Sequence, residues 1–361
     1  MRTGLAAAFG LALGLCAGAA LAQTPAPAAK TMRLTGAAPS AADPAPKTFI
    51  IDVQVKPGDS DPETTLDGWF ASSAAPAVSG VVSGTCVQTR CVLNGELANA
   101  KLVLTGDFGD AAGPVAAHFV VKDDDDKTLQ EGAATLTPLT GPVAGLGALA
   151  APDAINEIQL DDLLLWNDQT VSSGSPPSDE PPSGSQRESL AAWQEEKGRL
   201  ATGLIFTTDL TELRADADAA RKKAGWTPLS DAAHGWSAGY PAALLPKASR
   251  VGTEQHFASA DGKAVLIVAV DPPMTSDAFD AFVDKISADR DGRSDVSTVR
   301  VNGDLEMGYE EGGVVTAAMY RNRDGGLARV VFTYPVAARE AYDPFQTIVQ
   351  HSLVVTDDLK P

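Results

Sequence analysis

The chain has 361 residues, with 28 basic against 47 acidic side chains and a formal net charge of −19 at pH 7. The electrostatic field of this net negative charge repels nucleic acid and anionic membrane surfaces, because binding to either depends on Lys and Arg side chains that neutralise phosphates. The charge therefore disfavours a nucleic-acid partner, and its simplest interpretation is solubility.

Residues 1–22 have the pattern of a secretory signal peptide. Arg2 supplies a basic start, and residues 5–20 form an apolar stretch too short and too rich in Gly and Ala for a stable span. The small residues at its end predict cleavage between Ala22 and Gln23. No later stretch offers the run of about 20 apolar residues that a membrane helix needs. We expect a periplasmic or secreted protein without a membrane span.

Residues 23–46 are rich in Pro and Ala without hydrophobic periodicity, which predicts a disordered tether. After cleavage two cysteines remain, Cys86 and Cys91. An even number in an oxidising compartment predicts a disulfide, here a staple across a hairpin turn at 87–90. These thiols and the distant His118 are too few ligands for a metal site, and no pattern predicts a cofactor.

Residues 47–166 are predicted to form an antiparallel β-domain, either a sandwich or a barrel. Runs rich in β-branched and aromatic residues occur at 47–55, 77–84 and 100–108, and further runs flank the acidic residues 123–126. The acidic run lacks the spaced carboxylates and turn glycine of a calcium loop, so it predicts a solvated hairpin tip.

Two segments of different composition follow. Residues 167–186 have the Ser, Pro and Gly content of a linker or exposed loop, and residues 187–226 are predicted to form a helical connecting segment. Its clearest helix has Asp209 as the candidate N-cap and Glu212 as the capping-box partner, and it stops at Gly225 after a basic last turn.

From residue 227 the sequence predicts a mainly antiparallel sheet with helices packed on it. A strand at 234–240 comes first, and a helix covers 275–290. Glycine-containing turns then separate the strands of a meander, because tight hairpins need positive φ. The apolar run 264–270 predicts a strand covered on both faces. A last helix lies within 338–353 and is interrupted or begins at its internal proline.

Three marks in this part of the chain carry a family resemblance: a strand that runs into Tyr240 and Pro241, a turn at 261–262 before an apolar strand, and the late sequence 351–353, His-Ser-Leu. With these marks residues 227–358 resemble the PsbP-like and DcrB-like group of α/β/α sandwiches. The resemblance implies an exported, non-catalytic module with an accessory, assembly or binding role, and it assigns no functional residue. The expected fold class is α+β, with the β-domain followed by an α/β/α sandwich.

Residues 235–239 spell G-x-S-x-G, the pattern around the nucleophile of serine hydrolases, with Ser237 at its centre. His351 with Asp277, or with Asp271, completes the chain order Ser, Asp, His. A Tyr-Pro pair follows the motif, however, and residues before proline favour extended backbone, whereas this nucleophile requires a helix immediately after it. The sequence therefore favours an ordinary strand over a catalytic one.

Strand alternation divides this segment into two faces. One face is aromatic and predicted to be buried, and the other is small and could be approached closely by another layer or by a ligand. The buried face carries Trp236, Ala238 and Tyr240, and the possible ligand face carries Gly235, Ser237 and Gly239.

The function favoured by the sequence is that of an exported, non-catalytic envelope accessory or binding protein, with an unidentified envelope protein or glycan as partner. A serine hydrolase is one alternative. A carbohydrate-binding protein is the other, with Trp69, Trp166 or Trp193 stacking on sugars, although core packing is the simpler role for these rings.

Overall fold

The structure is a computed structural model that describes residues 30–38, 47–58, 62–73, 78–97, 100–109, 112–169, 180–288, 292–301, 303–356 and 359. The expected signal peptide 1–22, with its cleavage site at Ala22 and Gln23, lies outside these residues. So do residues 170–179 of the expected linker.

Eight antiparallel strands close into a barrel in which each strand pairs with its sequence neighbours and the first pairs with the eighth. This confirms the predicted antiparallel β-domain and selects the barrel over the sandwich. The strands are β1 (Lys30–Ala38), β2 (Lys47–Pro57), β3 (Glu63–Ser72), β4 (Ser79–Val87), β5 (Arg90–Leu97), β6 (Ala100–Gly106), β7 (Val115–Lys122) and β8 (Thr128–Pro138).

Strand β1 lies within residues 23–46, where the sequence predicts a disordered tether, so the prediction is wrong for Lys30–Ala38. Every residue of this strand pairs with β2, and Leu34 is buried in the barrel core with Met32 packed beside it. Local composition does not predict this strand, because the strand is stabilised by closure of the barrel and by cross-strand packing.

Three helices follow the barrel and share one core: α1 (Glu157–Leu165), α2 (Gly184–Glu196) and α3 (Thr207–Ala224). The β structure therefore ends at Pro138, well before the expected boundary at residue 166, and α2 begins inside the expected linker 167–186.

Helix α3 begins two residues before the expected cap, at Thr207, with Phe206 in the N-cap position. Asp209 is instead buried, where its Oδ2 accepts a hydrogen bond from Gln194 Nε2 at 2.7 Å and its Oδ1 pairs with Arg199. Burial raises the pKa of this carboxyl. The hydrogen bond from Gln194 and the charge of Arg199 act to lower it, but the effect of burial is larger. The predicted stop is confirmed, because Gly225 ends the helix at φ +60°.

The rest of the chain forms two antiparallel sheets. The smaller sheet has the order β18 (Val354–Val355), β10 (Trp236–Pro241), β9 (Trp226–Asp231). The larger has the order β11 (Lys247–Val251), β12 (Glu254–Ala258), β13 (Val265–Asp271), β17 (Gly326–Pro335), β16 (Val314–Arg323), β15 (Asp304–Glu311), β14 (Arg293–Val301). The strand expected first, at 234–240, is thus preceded by β9.

The larger sheet is covered on both faces. Helix α4 (Ser276–Ser287) packs on one face through Phe279 and Val283. Helix α5 (Arg339–His351), which contains Pro344, packs on the other face beside the smaller sheet. This arrangement confirms the predicted antiparallel sheet with helices packed on it.

The barrel is joined to the helices through the outer face of β2 and β3. Ile50 and Trp69 point away from the lumen and are buried against Leu204 and Phe206. Trp69 Nε1 donates a hydrogen bond of 2.6 Å to the carbonyl of Thr202. Because these contacts lie on the outer face of the wall, the lumen is lined by side chains of the barrel alone.

Candidate ligand site in the barrel

One end of the barrel contains an apolar cavity of about 270 Å³. Interiors of eight-stranded barrels are just wide enough to be filled by side chains or to hold one small ligand. Here side chains leave space at the end where β2 begins and β3 ends. The lining residues are Thr48, Phe49, Phe70, Ser72, Val78, Leu97, Ala100, Leu102, Leu104, Phe119, Val121 and Gln130.

Glycines in the wall explain why this end is hollow. The ring of Phe49 covers Gly36, where an added Cβ would lie 2.3 Å from Phe49 Cζ. The ring of Phe119 covers Gly132 in the same way, with a separation of 3.2 Å to Cε1. Phe70 stacks on Phe49 with ring centroids 5.4 Å apart. Because glycine has no side chain, the rings lie close to the wall instead of crossing the lumen.

The opposite end of the barrel is closed by the predicted disulfide and an aromatic side chain. Cys86 and Cys91 are bonded across the β4–β5 turn, and both point into the barrel core. Phe108 lies beside them and is fully buried. Its position is fixed by the next residue, since Gly109 N donates a 3.0 Å hydrogen bond to the carbonyl of Thr89. The cavity is therefore a pocket with a floor and not a channel.

The acidic run forms the β7–β8 turn at the cavity end of the barrel, as the sequence predicts. Asp123 Oδ1 accepts hydrogen bonds from the backbone N–H groups of Asp125 and Lys127, at 3.1 and 2.9 Å. Lys101 Nζ lies 3.9 Å from Asp126 Oδ1. The turn is tied to its own backbone and to a neighbouring strand, and its remaining carboxylates face solvent.

A buried ion cluster lies on the outside of the barrel, where β1 and β2 meet α2. Asp52 accepts hydrogen bonds from Arg33 Nε at 3.0 Å and from Arg187 Nη2 at 2.9 Å. Burial alone would raise the pKa of Asp52, but the charges of Arg187 and Arg33 and their hydrogen bonds outweigh burial and lower it. This cluster fixes the barrel to the helices and lies apart from the lumen.

The hydrolase residues are not brought together as a triad. Ser237 lies inside β10, which continues as a strand through Pro241, so no helix follows the motif. His351 Nε2 is 3.1 Å from Glu306 Oε2. Asp277 is exposed in the first turn of α4, on the opposite face of the larger sheet from α5, and Asp271 pairs with an arginine of β17.

The two glycines of the possible ligand face of β10 are buried by the chain itself, and Ser237 between them is half-buried. An added Cβ at Gly239 would lie 2.2 Å from Trp226 Cζ2, and Gly239 N donates a 3.0 Å hydrogen bond to Ser352 Oγ. Gly235 accepts hydrogen bonds from Thr356, and Ser237 is paired with β18. The opposite face is inward as predicted, with Trp236 and Ala238 buried and Tyr240 packed on Phe257.

The tryptophans singled out for sugar stacking are core residues. Trp69, Trp166 and Trp193 are all buried, with exposed fractions of 1%, 6% and 1%. Their rings present no open face to a sugar, so the carbohydrate alternative loses the residues on which it was based.

Within the described ranges no three His, Cys, Asp or Glu side chains are grouped so that they could hold a metal ion. None of the helices in the described part of the chain is long and apolar enough to cross a membrane.

The lumen residues were not singled out from the sequence. Their signal is the alternation of large apolar residues in β2, β6 and β7, combined with inward glycines at positions 36 and 132. Alternation predicts which side chains point inward. It does not predict which large side chain will meet a glycine, because that depends on the register across the closed barrel.

Comparison with known proteins gives a distant likeness. No protein-family model matches the chain, and no curated protein matches it significantly. Among solved structures it is similar to the solution structure of cyanobacterial PsbP (CyanoP) from Synechocystis sp. PCC 6803, with 15% identity and a TM-score of 0.28 over 36% of this chain and 92% of that chain. This is a remote similarity of fold over part of the chain, and it carries no argument about activity, ligand or partner.

Proposed function

We propose that this protein is an exported, non-catalytic binding protein whose barrel takes up one small apolar molecule. The observation that carries the proposal is the cavity of about 270 Å³, which is closed at the disulfide end of the barrel and lined mostly by apolar side chains. Ligand pockets are typically concave and apolar with few polar groups. Export is supported by the sequence of residues 1–22 and by the disulfide, since disulfides persist in oxidising compartments.

The driving force would be burial of the ligand's apolar surface. Each methylene moved from water into such a pocket contributes about 0.8 kcal/mol. The rings of Phe49 and Phe119 are already held against glycines, so the pocket is formed before the ligand arrives. A preformed site loses little binding free energy to ordering of its side chains.

The proposal is tested by filling the pocket. Leu102 points into the lumen, whereas Leu129 lies on the outer surface of β8 with 55% of its area exposed. Leu102→Trp adds an indole to the cavity, and Leu129→Trp adds the same group to the solvent side. Binding is measured with an apolar dye that fluoresces when it leaves water.

We expect the unaltered protein and Leu129→Trp to bind the dye with equal affinity, and Leu102→Trp to bind it at least ten times more weakly. Circular dichroism and thermal unfolding check that both variants remain folded. Absence of dye binding by the unaltered protein, or equal binding by a folded Leu102→Trp, would refute the proposal.

A further inference from the structure

We infer that the barrel cavity selects a single unbranched alkyl chain of about eight to ten carbons that carries an uncharged polar head group. This inference rests on the proposed function and specifies the class of molecule bound at the same site. It follows from the depth of the cavity, its volume and the charges at its mouth.

The depth follows from the lining residues of β6. Ala100, Leu102 and Leu104 line the cavity from the mouth to the floor, and below them lies the closed end formed by Phe108 and the disulfide. Four residue steps at about 3.3 Å along a strand tilted by about 40° give a depth of about 10 Å. An extended carbon chain with bonds of about 1.5 Å advances about 1.25 Å per carbon, so about eight carbons reach the floor.

The volume leads to the same size independently. A cavity of about 150 Å³ takes up one benzene molecule, so a cavity of about 270 Å³ has room for about eleven non-hydrogen atoms, such as a chain of ten carbons with one head-group atom. Divided by a depth of about 10 Å, this volume leaves a cross-section for one chain and not for two. A branched or ring-fused molecule of equal volume would be wider than this cross-section.

The head group follows from the charges. None of the described residues that line the cavity is charged, and the polar side chains among them, Thr48, Ser72 and Gln130, are all neutral. Among the rim residues whose side chains the structure describes, those of the β7–β8 turn and the neighbouring strand β6, the four carboxylates of residues 123–126 outnumber Lys101, Lys122 and Lys127. A carboxylate or phosphate head would leave water for a cavity lining that contains no cationic side chain, and the net negative charge of residues 123–127 would repel it.

The test uses straight-chain 1-alkanols from four to twelve carbons, which displace the bound dye from the full-length protein. We expect affinity to rise by about fourfold per methylene up to eight to ten carbons and then to level off. Octanoate at pH 7.5 should bind at least ten times more weakly than octanol.

A floor variant locates the end of the chain. Leu104→Phe should move the plateau to shorter alkanols by one or two carbons, while the matched surface variant Leu129→Phe should leave it in place. Dye binding without a plateau up to twelve carbons, equal affinity for octanoate and octanol, or an unshifted plateau in a folded Leu104→Phe would overturn this inference and leave the proposed function standing. Failure of the unaltered protein to bind either dye or alkanol would refute both.

Discussion

At the scale of single residues, Asp52 is the centre of a buried ion cluster. It is 5% exposed and forms ion pairs with both Arg33 and Arg187 where the barrel meets α2. Removal of one partner from a buried ion cluster leaves uncompensated charge, which typically costs 3–5 kcal/mol. We expect Asp52→Asn to lower the free energy of unfolding by about 3 kcal/mol or more at pH 7, measured by urea denaturation.

The pH dependence of this contribution has a defined sign. Because the pKa of Asp52 is lowered in the folded protein, its stabilisation is complete above the ordinary carboxyl pKa and is lost as pH falls below it. Asp67→Asn is the control, since Asp67 is exposed and lies on the same outer face. A loss for Asp52→Asn no larger than that for Asp67→Asn would contradict the role of the cluster.

Asp161 should show the opposite pH behaviour. Burial raises its pKa to about 6, against the effect of a hydrogen bond from Gln186 and the charge of His351. The folded protein thus keeps a proton that the unfolded chain releases at about pH 4, so this group's contribution to stability falls as pH rises from about 4 to 6.

Asp161→Asn cannot ionise. We expect its free energy of unfolding, relative to that of the unaltered protein, to increase between pH 4 and 6.5 and to stay constant at higher pH. Urea denaturation at a series of pH values measures the difference. Parallel curves for the two proteins would show that Asp161 does not titrate in this range.

The G-x-S-x-G segment can be tested at two of its own positions. Gly239→Ala places a Cβ against the ring of Trp226, and such overpacking typically costs 1–3 kcal/mol. Ser237→Ala, two residues away on the same half-buried strand, should change stability by less than about 1 kcal/mol. A fluorophosphonate probe should leave Ser237 unlabelled. Labelling that disappears in Ser237→Ala would restore the hydrolase hypothesis.

At the scale of elements, deletion of β1 distinguishes a disordered tether in residues 23–46 from a strand of the barrel. A disordered tether could be removed without effect, whereas a barrel strand bonded to both β2 and β8 could not. Deletion of residues 30–38 should expose the edges of β2 and β8 and abolish dye binding. Deletion of residues 23–29 is the control, and equal behaviour of the two deletions would support the tether.

Elements with strong local signals were predictable from the sequence, and those fixed by distant contacts were not. The β4–β5 hairpin was predictable because Cys86 and Cys91 bracket a short turn, and the end of α3 because Gly225 adopts positive φ. The start of α3 was not. Phe206 takes the cap position because it is buried against the barrel, which frees Asp209 to pair with Gln194 and Arg199.

At the scale of the whole molecule, the chain combines a barrel with a sheet-and-helix unit, and the candidate ligand cavity lies in the barrel. The alternation of apolar residues predicted the β-domain. It could not predict the lumen, because the space exists only once closure brings Phe49 to Gly36 and Phe119 to Gly132. The motif that suggested catalysis proved to be a strand packed on both faces.

The central claim, that the lumen binds one alkyl chain, is tested most directly by nuclear magnetic resonance. Titration of the isotopically labelled full-length protein with 1-octanol should shift signals of lumen residues such as Phe49, Leu102 and Phe119, and should saturate at one equivalent. Signals from β10 and α5 should stay in place. Absence of shifts in the lumen, or saturable shifts confined to the C-terminal sheets, would contradict the claim.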